Sequence, residues 1–246
     1  MQERLQKVLA QAGIASRRTC EEWIRRGWVE VNGQIVTQLG TKVDPQTDEI
    51  RVRGKPIALA AQTKIYIALN KPRGVITSTA DPRGRKVVTE LLPPLPGRIF
   101  PVGRLDYDTE GLLLLTNDGE LAHRLMHPRY EVEKVYLAWV QGIPSEADLQ
   151  RLREGVLLED GPTAPAKVRL VRVDRQRQKA LCRIALHEGR NRQVRRMFAA
   201  IGHPVTALIR IQQGPIHLGK LKPGQYRFLS SEEVMRLRNM FDTEGS

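Results

Sequence analysis

The chain opens on RLQKVLAQAG, in which Leu5, Val8, Leu9 and Ala12 fall at i, i+3, i+4 and i+7. That spacing predicts an amphipathic helix, and Gly13 ends it. Ser16 then stands where it can cap a second helix, SRRTCEEWIRRG, with Cys20, Trp23 and Ile24 facing inward and Gly27 as the stop. WVEVNGQIV reads as a hairpin, because Asn32-Gly33 tolerates the two positive φ angles of a type I′ turn. DEIRVRGKPI adds a short strand and a turn. Residues 1–58 therefore read as a small module, and 59–63, within ALAAQT, as a linker without a pattern of its own.

From residue 64 to 246 the pattern changes. KIYIALN, KVYLAWV, KVRLVRV and KALCRIALH are rich in β-branched or aromatic residues and read as strands. Cys182, Ile184 and Leu186 alternate with Arg183 and His187, which suits a sheet with one covered face. There is no phosphate loop or dinucleotide fingerprint. The fold class expected is α+β: a helix-helix-hairpin domain followed by a larger domain built on a mixed, mainly antiparallel sheet.

Apolar residues make up 41% of the 246 and charged residues 27%, enough for a real core and against disorder over most of the length. No run approaches membrane-spanning length, and MQERLQKVLAQAG carries charges where a signal peptide needs its apolar stretch, so a cytoplasmic protein is expected. Cys20 and Cys182 lie far apart without metal or disulfide spacing and read as small core residues. The net charge of +13 points to a polyanionic partner. The excess is concentrated late, with 17 Lys/Arg against four Asp/Glu between Lys167 and Arg238.

GRLDYDTEGLLLLTNDG is the acidic exception. Asp106, Asp108, Glu110 and Gly111 imitate the first half of a calcium loop, but position twelve is Asn117 where a bidentate Glu is needed. Leu112 to Leu115 read as a buried strand, and Asn117 with Glu120 as a capping box opening the helix ELAHRLMH. No metal site is expected, although a magnesium nuclease site on Asp106 and Asp108 remains an alternative. Asp106 is the best candidate for chemistry, with Arg104 two residues away and apolar Leu105 beside it. None of the five histidines belongs to a recognisable nucleophile motif.

EGRNRQVRRMFAAIGHP supplies the counter-charge. Val194, Met197, Phe198 and Ile201 form an apolar helix face, and Arg192, Arg195 and Arg196 a basic one. Cations at a helix N-terminus oppose the macrodipole, so these need an anion nearby. Arg195 lies next to the apolar face and is best placed to reach inward. An arginine beside an aspartate lowers its pKa by roughly 1–3 units and keeps it ionised despite partial burial.

RLQKVLAQAGIASRRTCEEWIRRGWVEVNGQIV resembles an S4 RNA-binding domain, through the paired helices, the Ser-Arg-Arg entry and the Val-Asn-Gly hairpin. This implies recognition of structured RNA by shape and backbone charge, through Lys7, Arg17 and Arg18. GRLDYDTEGLLLLTNDG in turn resembles the nucleophile motif of the pseudouridine synthases, specifically the RsuA/RluB group that modifies ribosomal RNA. LNKPRGVITS, EKVYLAWV, LEDGPTAPAKV and EGRNRQVRRM match that group's other segments in the same order.

The resemblance implies that Asp106 is the essential catalytic aspartate and that Arg104 helps displace the target base. It also implies that Tyr136 packs against the uracil, Arg195 pairs with Asp106 and Leu208 lines the pocket. Arg190, Arg192 and Arg196 are expected on RNA, and Lys71 and Pro72 in a more structural role. Ala207 stands where relatives usually carry a basic residue, and RIQQGPIHL reads as looser than their strand.

The residue types suit the reaction. Isomerising uridine breaks an N-glycosidic bond, turns the base and rejoins C5 to the sugar without redox change, so no cofactor is expected. A carboxylate, an aromatic wall and extraction of the nucleotide at a cost of a few kcal/mol suffice. Attack on the sugar, attack on the ring and abstraction of a sugar proton all remain open to the carboxylate. The expected partner is ribosomal RNA or a ribosome assembly intermediate, leaning to the large subunit, and the expected state is a monomer without membrane attachment. A non-catalytic RNA-binding factor that keeps the fold is the rival reading.

Overall fold

The computed structural model describes residues 2–58 and 63–241. The expected linker therefore lies, apart from Thr63, outside the described residues. Two compact units form: Met1–Ile65 with Pro94–Ile99 and Asn117–Gly119, and the remainder from Tyr66 onward.

The smaller unit follows its sequence signals closely. Strand β1 (Glu3–Arg4) leads into helix α1 (Leu5–Gln11), and α2 (Arg17–Arg25) follows. Ser16 Oγ accepts the Thr19 N–H at 3.0 Å, which caps α2. Asn32 and Gly33 take φ of 51° and 78°, so β2 (Val29–Val31) folds back on β3 (Gln34–Ile35) as the type I′ turn demands. After β4 (Lys42–Val43), which pairs with β1, β5 (Ile50–Val52) and β6 (Lys55–Pro56) complete a four-stranded sheet ordered β3-β2-β5-β6. Leu5, Leu9, Cys20, Ile24 and Val29 are fully buried at its centre. Each of the aliphatic side chains contributes about 1.5–3 kcal/mol by leaving water.

The larger unit is built on one nine-stranded sheet. Its strands are β7 (Tyr66–Lys71), β8 (Phe100–Val102), β9 (Glu110–Thr116), β10 (Lys134–Gln141), β13 (Lys167–Asp174), β14 (Lys179–Leu186), β15 (Val205–Gln213), β16 (Ile216–His217) and β17 (Tyr226–Phe228). A separate hairpin joins β11 (Leu157–Leu158) to β12 (Gly161–Pro162). The helices are α3 (Gly119–Met126), α4 (Glu146–Glu154), α5 (Gln193–Ala200) and α6 (Ser231–Asn239). The main strand order is β13-β14-β10-β15-β9-β7-β17, with β16 beside β15 and β8 beside β9. Every pair is antiparallel except β15 with β9. The mixed, mainly antiparallel α+β architecture is the one expected.

The parallel pair decides where a site can form. Leu112 to Leu115 are all buried, so β9 is covered on both faces, as a strand with a parallel neighbour generally is. The β15–β9 ladder is only two pairs long, Ile209 opposite Glu110 and Arg210 opposite Gly111. Gly111 is indispensable there. It has φ +109°, and a Cβ would lie 2.2 Å from the Arg210 carbonyl oxygen. Two cores flank this short seam, one around Cys182, Ile184, Met197 and Phe198, the other around Leu112, Leu114, Leu125 and Leu237.

One local expectation is corrected. α3 begins at Gly119, one residue later than an Asn117 cap implies, and the Asn117 side chain accepts from the Ile65 N–H and donates to the Thr63 carbonyl. RIQQ belongs to β15, which extends to Gln213 before Gly214 (φ 54°) turns the chain into β16, but its pairing with β10 skips Ile211.

Candidate active site

The acidic turn is held from below by LNKPRGVITS. Lys71, fully buried, donates to the Thr109 carbonyl at 2.8 Å and the Pro72 carbonyl at 3.0 Å. The Gly74 N–H donates to the Tyr107 carbonyl at 2.9 Å. Thr77 Oγ1 donates to the Leu105 carbonyl at 2.7 Å and accepts the Leu105 N–H at 3.2 Å, clamping the residue before Asp106. The Thr109 N–H closes the turn onto the Asp106 carbonyl at 3.1 Å. Each bond alone contributes about 1 kcal/mol, but together they fix the backbone on which the carboxylates sit. Burial pulls the Lys71 pKa down to about 8 against the pull of Asp106, Asp108 and Glu110, which favour its charge.

The arginines of α5 reach this turn from the other side. Arg192 takes a left-handed conformation, φ 48°, just ahead of α5 and lays both guanidinium nitrogens on Asp108 at 3.0 Å. Arg195, with a side chain only 12% exposed, reaches Asp108 Oδ2 at 3.2 Å and the Asp108 carbonyl at 3.0 Å. The resemblance pairs Arg195 with Asp106, and here the structure corrects it: the ion pair falls on Asp108. Positions 192 and 195 share one helix side and meet the same carboxylate. The nearest cation to Asp106 is Arg192, at 3.9 Å. The Arg192 hydrogen bonds hold the Asp108 carboxyl below its usual range.

Asp106 is left facing a cavity of about 860 Å³, shared with Arg104, Tyr136, Arg192 and Leu208. Such a volume is toward the upper end for small-molecule pockets. Tyr136, on β10, lies opposite Arg210 on β15, and Leu208 lies opposite Ala138. The strand pairing thus places an aromatic ring and an apolar side chain on one wall. Arg104 is exposed at the rim and makes no ion pair among the described residues. Arg195 is brought to the turn but does not line the cavity.

Arg190 also lines the cavity and Arg196 does not, and both bond to the neighbouring hairpin. Arg190 donates to the carbonyls of Gly161 and Pro162 and pairs with Glu188 at 2.9 Å, while Arg196 grips Asp160 with two bonds of 2.8 and 3.0 Å. Both arginines tie the β11–β12 hairpin to the start of α5. In the smaller unit Lys7 pairs with Glu3 at 2.7 Å, and Arg17 and Arg18 are exposed on the first turn of α2. Among the described residues no three His, Cys, Asp or Glu side chains converge so as to hold a metal ion.

Sequence reasoning missed four cavity or support residues: Thr77, Lys134, Arg210 and Gln213. Thr77 sits inside LNKPRGVITS but needed the fold to reveal its bonds to Leu105. Lys134, Arg210 and Gln213 all line the cavity, and Arg210 and Gln213 are almost wholly buried. Burial lowers the Lys134 pKa to about 8, helped by the nearby Arg210 charge. Alternation could have grouped Lys134 with Tyr136 and Arg210 with Leu208.

Comparison with known proteins places this geometry. Residues 65–200 match the family described as RNA pseudouridylate synthase, and residues 3–50 match the S4 domain. The chain is 52% identical over 240 residues to "Ribosomal large subunit pseudouridine synthase B" of Bacillus subtilis (strain 168), covering 98% of this chain and 97% of that one. It is 49% identical to an uncharacterized RNA pseudouridine synthase of Aquifex aeolicus (strain VF5), covering 96% and 94%. A crystal structure of a pseudouridylate synthase superposes with a TM-score of 0.68 at 34% identity, covering 95% of this chain and 99% of that chain. The chain belongs to the RNA pseudouridylate synthase family and is an RNA pseudouridine synthase carrying an S4 domain.

Proposed function

We propose that this enzyme isomerises a specific uridine of large-subunit ribosomal RNA to pseudouridine, with Asp106 as the essential carboxylate. One observation carries the assignment: Asp108 is held by two arginines at 3.0 and 3.2 Å, whereas Asp106 lies 3.9 Å from Arg192 and lines the cavity together with Tyr136 and Leu208. The large subunit as target is supported by the name of the Bacillus relative.

In this reading the target uridine leaves its stack and enters the cavity, and Arg104 fills the place it vacates. Tyr136 packs against the uracil and Leu208 lines the pocket beside it. Asp106 acts while the N1–C1′ bond breaks. The base turns, C5 bonds to C1′, the C5 proton is given up and N1 gains one, so the product is an isomer and no cofactor enters. Arg195 acts on Asp106 through Asp108 and the turn backbone. Arg17, Arg18 and Lys7 contact RNA backbone from an S4 domain spanning 1–58, joined by a linker at 59–63 to a catalytic domain of 64–246. Arg192 faces RNA at the cavity, while Arg190 and Arg196 chiefly fix the hairpin beside it.

The test is direct. Protein-free ribosomal RNA is incubated with the enzyme without added cofactor, and pseudouridine is mapped by primer extension after carbodiimide treatment. One new stop in large-subunit RNA is expected. Stops only in small-subunit RNA would overturn the target, and cut RNA would favour a nuclease.

A further inference from the structure

One part of the cavity lining is polar in an unusual way. Lys134 and Arg210 belong to it and neither forms an ion pair among the described residues, although burying an unpaired cation is costly; the partly buried Lys134 ammonium donates to the Val132 and His187 carbonyls at 3.2 and 3.4 Å, which leaves one of its three N–H groups. Arg210 spends Nε on the Leu112 carbonyl at 2.8 Å, and its Nη2 has no hydrogen-bond partner. Gln213 is 1% exposed, and its Oε1 likewise has no partner. Buried polar groups in native proteins are satisfied unless a function uses them.

The strand geometry gathers these groups together. Residues 210 and 213 of a regular strand would face opposite sides of the sheet. Between them the β10–β15 register shifts: Val135 lies opposite Gln212, but Tyr136 lies opposite Arg210, so Ile211 is the extra residue of a β-bulge. The bulge turns both Arg210 and Gln213 toward the cavity, with Lys134 directly opposite Gln213 and Tyr136 directly opposite Arg210.

We infer that Lys134, Arg210 and Gln213 form a subsite that reads the Watson–Crick edge of uracil. The inference rests on the reading of the cavity as the place where the flipped uridine is held. A ring packed on Tyr136 presents its edge to the cross-strand neighbour of that tyrosine. Uracil offers two carbonyl acceptors flanking one N3–H donor. The guanidinium, ammonium and amide N–H groups serve the carbonyls, and the Gln213 carbonyl serves N3–H. Cytosine carries an amine where uracil has O4 and an acceptor where uracil has N3–H, so it sets donor against cation and presents no N–H to the Gln213 carbonyl. A site built to hydrogen-bond one substrate rejects the analogue that cannot complete the bonds. A phosphate would answer the two cations but has no N–H for Gln213 and no use for an aromatic neighbour.

The test uses an RNA stem-loop containing the mapped uridine, synthesised with either uridine or N3-methyluridine at that position. Binding is measured in the full-length Asp106→Asn background, with and without Gln213→Met. Removing the N3–H hydrogen bond should weaken binding about tenfold. At least that weakening is expected from Gln213→Met on the uridine RNA, and nothing further when N3-methylation is added to it. Gln213→Glu, which exchanges the amide donor for a carboxylate beside Lys134 and Arg210 but keeps an acceptor for N3–H, should retain the sensitivity to N3-methylation. Additive effects in the combined case would overturn the inference. So would an Arg210→Met protein whose salt dependence falls by the equivalent of one phosphate while its preference for uridine RNA is unchanged. If the wild-type enzyme makes pseudouridine in this RNA and the coupling is absent, only the subsite fails. If it makes none, the functional reading itself fails.

Discussion

The two basic regions of this protein use the same residue in opposite ways. In the segment from Arg190 to Arg196 every arginine has a carboxylate within the larger unit: Glu188 for Arg190, Asp108 for Arg192 and Arg195, and Asp160 for Arg196. At the start of α2, Arg17 and Arg18 are exposed and form no ion pair among the described residues. A net charge of +13 points to RNA, yet it does not say which cations meet RNA. Arginines paired internally build the turn and the hairpin around the cavity, whereas Arg17 and Arg18 are the ones proposed for phosphate.

The sharpest way to break this contrast is Arg195→Ala. It removes a nearly buried cation from Asp108 and from the turn backbone, and displacing a catalytic group by an ångström can cost about a hundredfold. A loss of that size is expected in single-turnover rate at saturating RNA, with a much smaller change in affinity. A wild-type rate would mean that the pair is not needed for the geometry of the turn.

The converse change, Arg17→Ala with Arg18→Ala, should leave the rate at saturating RNA intact and weaken binding by about tenfold. The slope of log affinity against log salt should shrink by about 0.7–0.9 for each phosphate that is no longer neutralised. An unchanged slope would remove these two residues from the RNA interface.

A smaller effect separates Asp108 from exposed carboxylates. Its folded pKa lies below the ordinary value of about 3.9, so its ionised form contributes stability above that value, and this is lost as pH falls through the folded pKa. Thermal unfolding followed below pH 5 should fall less steeply for Asp108→Asn than for the wild type, from a lower starting stability. Parallel curves would show that the arginine pairs contribute nothing to folding.

Much of this was legible in the sequence where local rules act alone. Asn32-Gly33 chose its turn, Ser16 its cap, and the four leucines their buried strand. The apolar face of α5 was legible for the same reason. Legibility stopped where a side chain had a choice of partners. Asn117 turned to the backbone of Thr63 and Ile65 instead of capping α3. Arg195 met Asp108 because helical spacing sends it to the carboxylate that Arg192 also holds. The Lys134, Arg210 and Gln213 cluster depends on a bulge at Ile211, and nothing in the spacing of 210 and 213 announces that they share a side. A close approach such as Gly111 against Arg210 is equally a property of two strands far apart in sequence.

The central claim is that Asp106, the carboxylate left open to the cavity, is the one that acts. Pseudouridine formed in a single turnover at saturating ribosomal RNA tests it in Asp106→Asn, an isosteric change that leaves Lys71, Thr77 and the arginines in place. The account predicts no detectable product with RNA binding retained, and pseudouridine formation by this variant at a measurable rate would contradict it.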